Sequence, residues 1–364
     1  MPANLKQLTS LRFFAAAWVV AYTYWPSLTG SRPLFVEKGY LGVELFFVLS
    51  GFILSHVYLD QAGSGRLNFA AFLWARLSRI YPVHLITLAG VGLMGAAALA
   101  IGYSIENAVI VWSAFLQNLF LVHAWGTTSS AAWNHPSWSI SAEWFAYLTF
   151  PLYASAAWRL RNRPYLAVAV VLVFIAVLYP AFERVAGFAL TEATIAWGAL
   201  RIVPCFALGC AVNLLWRSKA LANPTLAAIA AGAIAALVVG SAAARAPDLV
   251  PVMLFGGLIF ALASLASTGS RLLTAAPFVY LGEVSFAVYM VCIPWQLAFS
   301  KAAALVFGLE SELLPSWMWL LQLGSLLAAA AAVHHAVERP ARTWMRRHAP
   351  ALPFRARALQ VQAG

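Results

Sequence analysis

The chain has 364 residues, of which 63% are hydrophobic and only 10% charged, with a formal net charge of +11 and a mean hydropathy of +0.81. Soluble domains carry about 25% charged residues, so this composition excludes a water-soluble globular protein and points to an all-α, polytopic membrane protein. The Lys and Arg residues sit in short loops between apolar runs, as membrane topology requires and nucleic-acid binding does not.

Residues 1–10 are short and polar, and the apolar run that follows passes signal-peptide length without an A-x-A cleavage pattern, so it reads as a retained first span. Crossing roughly 30 Å of hydrocarbon takes about 20 apolar residues. Runs of that kind lie near 11–28, 39–59, 79–102, 136–156, 164–183, 193–216, 222–243, 249–268, 277–300 and 315–337, which makes ten. The stretch 107–123 is also apolar, and counting it as a span would invert every later loop.

Charge arbitrates. If 107–123 does not cross, one face receives Lys6, Arg12, Arg66, Arg76, Arg79, Arg159, Arg161, Arg163, Arg217, Lys219, Arg271 and the tail from Arg339 to Arg357. The other face receives Arg32, Lys38, Arg184, Arg245 and Lys301, and Arg201 lies within the bilayer. The positive-inside rule then places both termini in the cytoplasm and makes 107–123 a re-entrant or interfacial helix on the outer side, covered by protein. One membrane domain over 1–340 and a basic tail over 341–364 are expected, the tail as an anchor for anionic lipid. Cys205, Cys210 and Cys292 lie in apolar runs and read as small hydrophobes rather than disulfide or metal partners; no metal is expected.

A charged side chain at mid-bilayer costs about 3 kcal/mol on insertion scales unless it is paired or hydrated. Glu44 lies in Gly42-Val-Glu-Leu-Phe-Phe, among glycines that permit close helix approach. Glu143 shares a helical face with Ser139 and Ala142. Arg201 stands about eight residues inside its span, too deep to snorkel easily, so Glu44 or Glu143 is its expected partner. Arg76 and Arg79 are three apart at the cytoplasmic boundary, a spacing that suits phosphate or carboxylate. Each has a plain alternative as a packing ion pair or an interfacial arginine.

At these residues the sequence resembles acyltransferase family 3, integral membrane proteins that typically transfer acyl groups, often acetyl from cytoplasmic acetyl-CoA, to envelope sugars. The matching stretches are Leu11-Arg-Phe-Phe-Ala-Ala, Gly42-Val-Glu-Leu-Phe-Phe-Val-Leu-Ser-Gly-Phe-Ile-Leu, Arg76-Leu-Ser-Arg-Ile-Tyr-Pro, Pro136-Ser-Trp-Ser-Ile-Ser-Ala-Glu, Leu281-Gly-Glu-Val-Ser-Phe-Ala-Val-Tyr and Glu338-Arg-Pro. The resemblance implies that Arg12 is the early first-span arginine and that Arg76 and Arg79 face the acyl donor. It also implies a proton-accepting His eleven residues after Arg12, where this chain has Thr23, and a second His where it has Cys292. A Thr hydroxyl has no useful pKa near neutrality, whereas an imidazole does. Three readings stay open: another group is the base, with Glu44 and Glu143 the candidates; the acceptor needs none; or the chain is catalytically silent.

Cys292 as an acyl-carrying nucleophile is disfavoured, because no activating residue adjoins it. His84, five residues after Arg79, reads as an interfacial histidine or as a neighbour of the donor's pantetheine chain.

The expected function is acyl transfer from cytoplasmic acyl-CoA, used as co-substrate, to a hydroxyl of an envelope glycan or lipid-linked sugar in a bacterial inner membrane. Glu44, Glu143, Thr23 and Arg12 are the catalytic candidates; Arg76, Arg79 and Arg201 are the binding candidates. A transporter or flippase would also use intramembrane charges, but paired inverted repeats are not visible in the sequence.

Overall fold

The structure, a computed structural model, describes residues 5–100, 102, 109–265, 273–308 and 313–349. Outside them lie the expected span ends at 101 and 266–268, the start of the outer stretch at 107–108, Arg271, and tail residues 350–364 with Arg355 and Arg357.

The described residues form helices, turns and loops, with no strand among them. In chain order they are α1 (Lys6–Tyr24), the short α2 (Pro26–Thr29) and α3 (Leu34–Glu37), α4 (Gly42–Gly63), α5 (Phe69–Ala100), α6 (Phe115–Leu119), α7 (Trp138–Leu148), α8 (Phe150–Arg159) and α9 (Pro164–Ala186). There follow α10 (Gly198–Arg217), α11 (Pro224–Ala243), α12 (Leu249–Ser264), α13 (Ala276–Phe307), α14 (Ser316–Val333), a π-helical turn (His334–Glu338) and α15 (Arg339–Arg347).

Among the described residues, seven helical stretches are long and apolar enough to cross a membrane: Gly39–Gly63, Phe69–Ala100, Pro164–Ala186, Gly198–Arg217, Pro224–Ala243, Ala276–Phe307 and Ser316–Arg347. The other three expected spans fall on α1, which carries Lys6 and Arg12, on the broken pair α7 and α8, and on α12, which has 16 residues. The break between α7 and α8 follows from Pro151, which has no N–H to continue the ladder and whose ring crowds the carbonyl four residues back. Helix α5 starts ten residues before its expected span, so Arg76 and Arg79 lie inside the helix rather than at its start.

Buried α4 and α10 are the centre of the bundle. A Cβ at Gly51 would stand 2.1 Å from the Phe206 carbonyl oxygen, and one at Gly209 would stand 2.0 Å from that of Val48. Only glycine at both positions lets the two backbones touch. Helix α1 is seated in the same way, since a Cβ at Gly282 of α13 would fall 2.0 Å from the Thr9 carbonyl oxygen.

The outer stretch is not one helix. Its described part holds a 3-10 turn at Trp112–Ala114, the five-residue α6 and a second 3-10 turn at His123–Trp125. Several of its polar groups are met by protein, although Gln117 Oε1 and Asn118 Oδ1 are buried without a partner. His84 Nε2 donates to the Asn118 carbonyl at 2.8 Å, Ser141 Oγ donates to the Leu121 carbonyl at 2.8 Å, and Trp125 Nε1 donates to the Ser141 carbonyl at 2.9 Å.

Candidate active site

Helices α1, α4, α5, α7 and α13 enclose a cavity of about 280 Å³. Along α4 its wall runs from Val43 to Val57, which is about 21 Å of helix at 1.5 Å per residue. The cavity is therefore a channel along the helix axis. Ile53, Val57 and Ile80 give it aliphatic walls, Arg12, Arg76 and Arg79 line it from α1 and α5, and Glu143 lines it from α7.

The ordered motifs have a local reason to meet here. Thr9 and Arg12, three apart, turn one face of α1 to the cavity; Arg76, Arg79 and Ile80 do the same on α5, and Ser139, Ile140, Glu143 and Tyr147 on α7. Among the described residues, no carboxylate lies within ion-pairing distance of Arg12, Arg76 or Arg79. Arg76 has a buried Nε without a hydrogen-bond partner, and its guanidinium lies 5.6 Å from the Tyr58 ring centroid. Half-buried guanidinium groups with no carboxylate in ion-pairing distance are suited to receive an anion. Glu143 accepts a hydrogen bond from Ser50 Oγ and makes no salt bridge among the described residues.

The remaining sequence candidates lie off the cavity wall. Of the two carboxylates that could partner Arg201, it is Glu44: Arg201 Nε donates to Glu44 Oε1 at 2.5 Å, with the two side chains 3% and 0% exposed. Arg201 also donates through Nη1 to the Ala193 carbonyl at 2.8 Å and lies 4.5 Å from the Trp138 ring centroid. Thr23 Oγ1 donates to the Val19 carbonyl at 2.9 Å, inside its own helix. Neither Glu44, Arg201 nor Thr23 lines the cavity.

Thr23 and Cys292, the two positions where the sequence resemblance implies histidines, are close in space. Gln296 Nε2 donates to the Thr23 carbonyl at 3.3 Å, and Tyr24 OH donates to the Cys292 carbonyl at 2.6 Å. Cys292 is buried and its Sγ faces the Tyr289 carbonyl at 3.0 Å, a structural thiol. His84 is fully buried, bonded to Asn118, and not part of the cavity wall. The described residues hold no cluster of His, Cys, Asp or Glu suited to a metal.

Ser50, Tyr147 and Tyr289 also line the cavity. Sequence reasoning did not single them out, because a serine or a tyrosine in an apolar span carries no charge to flag it.

Comparison with known proteins bears on this geometry. A family model described as an acyltransferase domain matches residues 5–335. The chain belongs to acyltransferase family 3. Acyltransferase MdmB of Streptomyces mycarofaciens is 33% identical over 318 residues, covering 79% of this chain and 78% of the relative. Protein 2 in the picA locus of Rhizobium radiobacter is 35% identical over 88 residues, 24% of this chain and 44% of that protein. No solved structure matches the chain. The matched range includes Arg12, Arg76 and Arg79, which share the cavity with Glu143.

Proposed function

We propose that this family member transfers an acyl group, acetyl in the first instance, from cytoplasmic acyl-CoA to a hydroxyl of an envelope glycan or lipid-linked sugar. The observation that carries this reading is one narrow channel that joins three unpaired arginines to an unpaired carboxylate. A CoA thioester has that same sequence of chemistries: phosphates for guanidinium groups, a flexible chain for aliphatic walls, and a thioester at the end of the chain.

In this reading Arg76 and Arg79 hold the diphosphate, where a planar fork binds phosphate oxygens bidentately. Glu143 takes the proton from the acceptor hydroxyl as its oxygen attacks the thioester carbonyl. The carbon–sulfur bond then breaks, an ester forms, and CoA leaves as the thiol after receiving that proton from Glu143. Arg12, beside Glu143 on the cavity wall, stabilises the negative charge that develops on oxygen and sulfur. Glu143 is a better base than Glu44, whose carboxylate is committed to Arg201.

Radiolabelled acetyl-CoA given to the purified protein with candidate glycans tests this. Glu143→Gln is expected to lower transfer by roughly 10²–10⁴-fold, the usual worth of a general base, with CoA affinity unchanged. Full activity in Glu143→Gln would remove Glu143 from the reaction. Thr23→His is expected to leave the rate unchanged, since Thr23 lies off the cavity. Activity that appears only with Thr23→His would instead mark a silent acyltransferase fold. A transporter would move acceptor without label transfer.

A further inference from the structure

The sequence treats the basic segment after Glu338 as a lipid anchor. Its geometry is different. Helix α15 does not hang free: Trp74 Nε1 of α5 donates to the Met345 carbonyl at 2.7 Å. The π-helical turn at His334–Glu338 and Pro340 just after it change the helix path there, by widening one turn and removing one ladder donor. Glu338, buried, accepts from His334 Nδ1 at 2.9 Å and stands 3.9 Å from Arg342 Nη1, which fixes the start of α15.

Arg342 and Arg346 are four apart and share a face, while Arg347 lines a separate surface hollow with Pro340, Trp344 and His348. Docked against α5, Arg346 lies close enough to feel the charges of Arg342, Arg76 and Arg79, and Arg342 feels Arg79 together with the opposite charges of Glu338 and Glu283. Arg76, Arg79, Arg342 and Arg346 thus gather at one end of the channel, with Arg12 nearer Glu143. Glu338 and Glu283 offset part of this charge at Arg342 and Arg79, but Arg346 has no carboxylate within ion-pairing distance among the described residues; a multiply charged anion would make the assembly of four guanidinium groups favourable.

Resting on the donor assignment above, we infer that α15 is the outer part of the donor site, with Arg342 and Arg346 gripping the 3′-phosphate of CoA. The order follows from the ligand's connectivity. With the thioester chain in the cavity, the diphosphate reaches Arg76 and Arg79 first, and the 3′-phosphoadenosine end extends past them to the next cations. The same phosphate-ester chemistry is found in anionic lipid headgroups, so the test separates the two sources.

CoA and 3′-dephospho-CoA binding are measured by calorimetry on full-length protein in nanodiscs of phosphatidylcholine alone, and again with phosphatidylglycerol added. Arg346→Gln is expected to weaken CoA roughly tenfold in both discs, in line with a charge-assisted hydrogen bond, and to leave 3′-dephospho-CoA unchanged. Arg347→Gln removes the same charge one residue away and is expected to change neither. Arg342→Lys keeps charge but loses the fork, and is expected to fall between wild type and Arg346→Gln.

Equal effects of Arg346→Gln and Arg347→Gln would overturn the inference, as would an Arg346→Gln loss that persists with 3′-dephospho-CoA. A loss seen only in phosphatidylglycerol discs would make α15 a lipid-binding helix. If wild type itself bound neither CoA nor its dephospho form, the donor assignment would fall, and this inference with it.

Discussion

Glu44 and Arg201 neutralise each other, yet Glu44 Oε2 and Arg201 Nη2 are both buried without a hydrogen-bond partner. Removing one member would leave the other charge uncompensated in low dielectric, so Glu44→Gln or Arg201→Gln is expected to cost about 3–5 kcal/mol. The apolar double change Glu44→Leu with Arg201→Met is expected to cost less than either single change. Thermal melting in detergent checks this; a double variant as unstable as the singles would give the pair a role beyond mutual neutralisation. His123, outside the spans, behaves differently. Its burial holds it down to about 3 from an ordinary 6.5, and Ser137 Oγ meets its Nε2 at 3.1 Å. The folded state therefore binds fewer protons than the unfolded chain between those values. Stability is fully present above pH 6.5 and is lost as pH falls below it, by about 1.4 kcal/mol per pH unit. Melting at pH 7 and pH 5 is expected to show that loss in wild type and a smaller one in His123→Gln.

The contact of α4 with α10 rests on Gly51 and Gly209, and each would meet backbone, not a yielding side chain, if it carried a Cβ. Gly209→Ala is therefore expected to force the helices apart and to reduce folded protein sharply, whereas Gly232→Ala, in open surroundings, is expected to be neutral. Yield and monodispersity on gel filtration compare the two. Elements of this kind were only partly legible. Pro151 marks the break between α7 and α8 in the sequence, but hydrophobicity runs through it, and a span was expected to continue to 156. The early start of α5 was hidden because Arg76 and Arg79 break the apolar run without breaking the helix.

The charge distribution predicts the orientation of the whole bundle, and labelling tests it. All three native cysteines are buried, so single cysteines introduced at Lys219 and Ala246, on either side of α11, report with low background. Lys219→Cys is expected to react only from the cytoplasmic side and Ala246→Cys only from outside; the reverse pattern would invert the topology, and reaction from one side would remove α11 as a span.

Composition and hydropathy by themselves determined that the chain is helical and membrane-embedded, because apolar surface of this extent has no other solvent and backbone in lipid has few other forms. The spacing of arginines and glutamates along single helices also determined which faces carry charge. Only the tertiary structure decided how those faces sort. Glu44 and Glu143 look alike in sequence, but one is bound to Arg201 in the packed interior and the other opens on a channel with Arg12, Arg76 and Arg79. Likewise α15 reads as a basic tail until Trp74 and the π-helical turn bring it against the same end of that channel. Helical periodicity fixes a direction around one axis; which neighbour lies in that direction depends on how distant segments pack, and no local pattern encodes it.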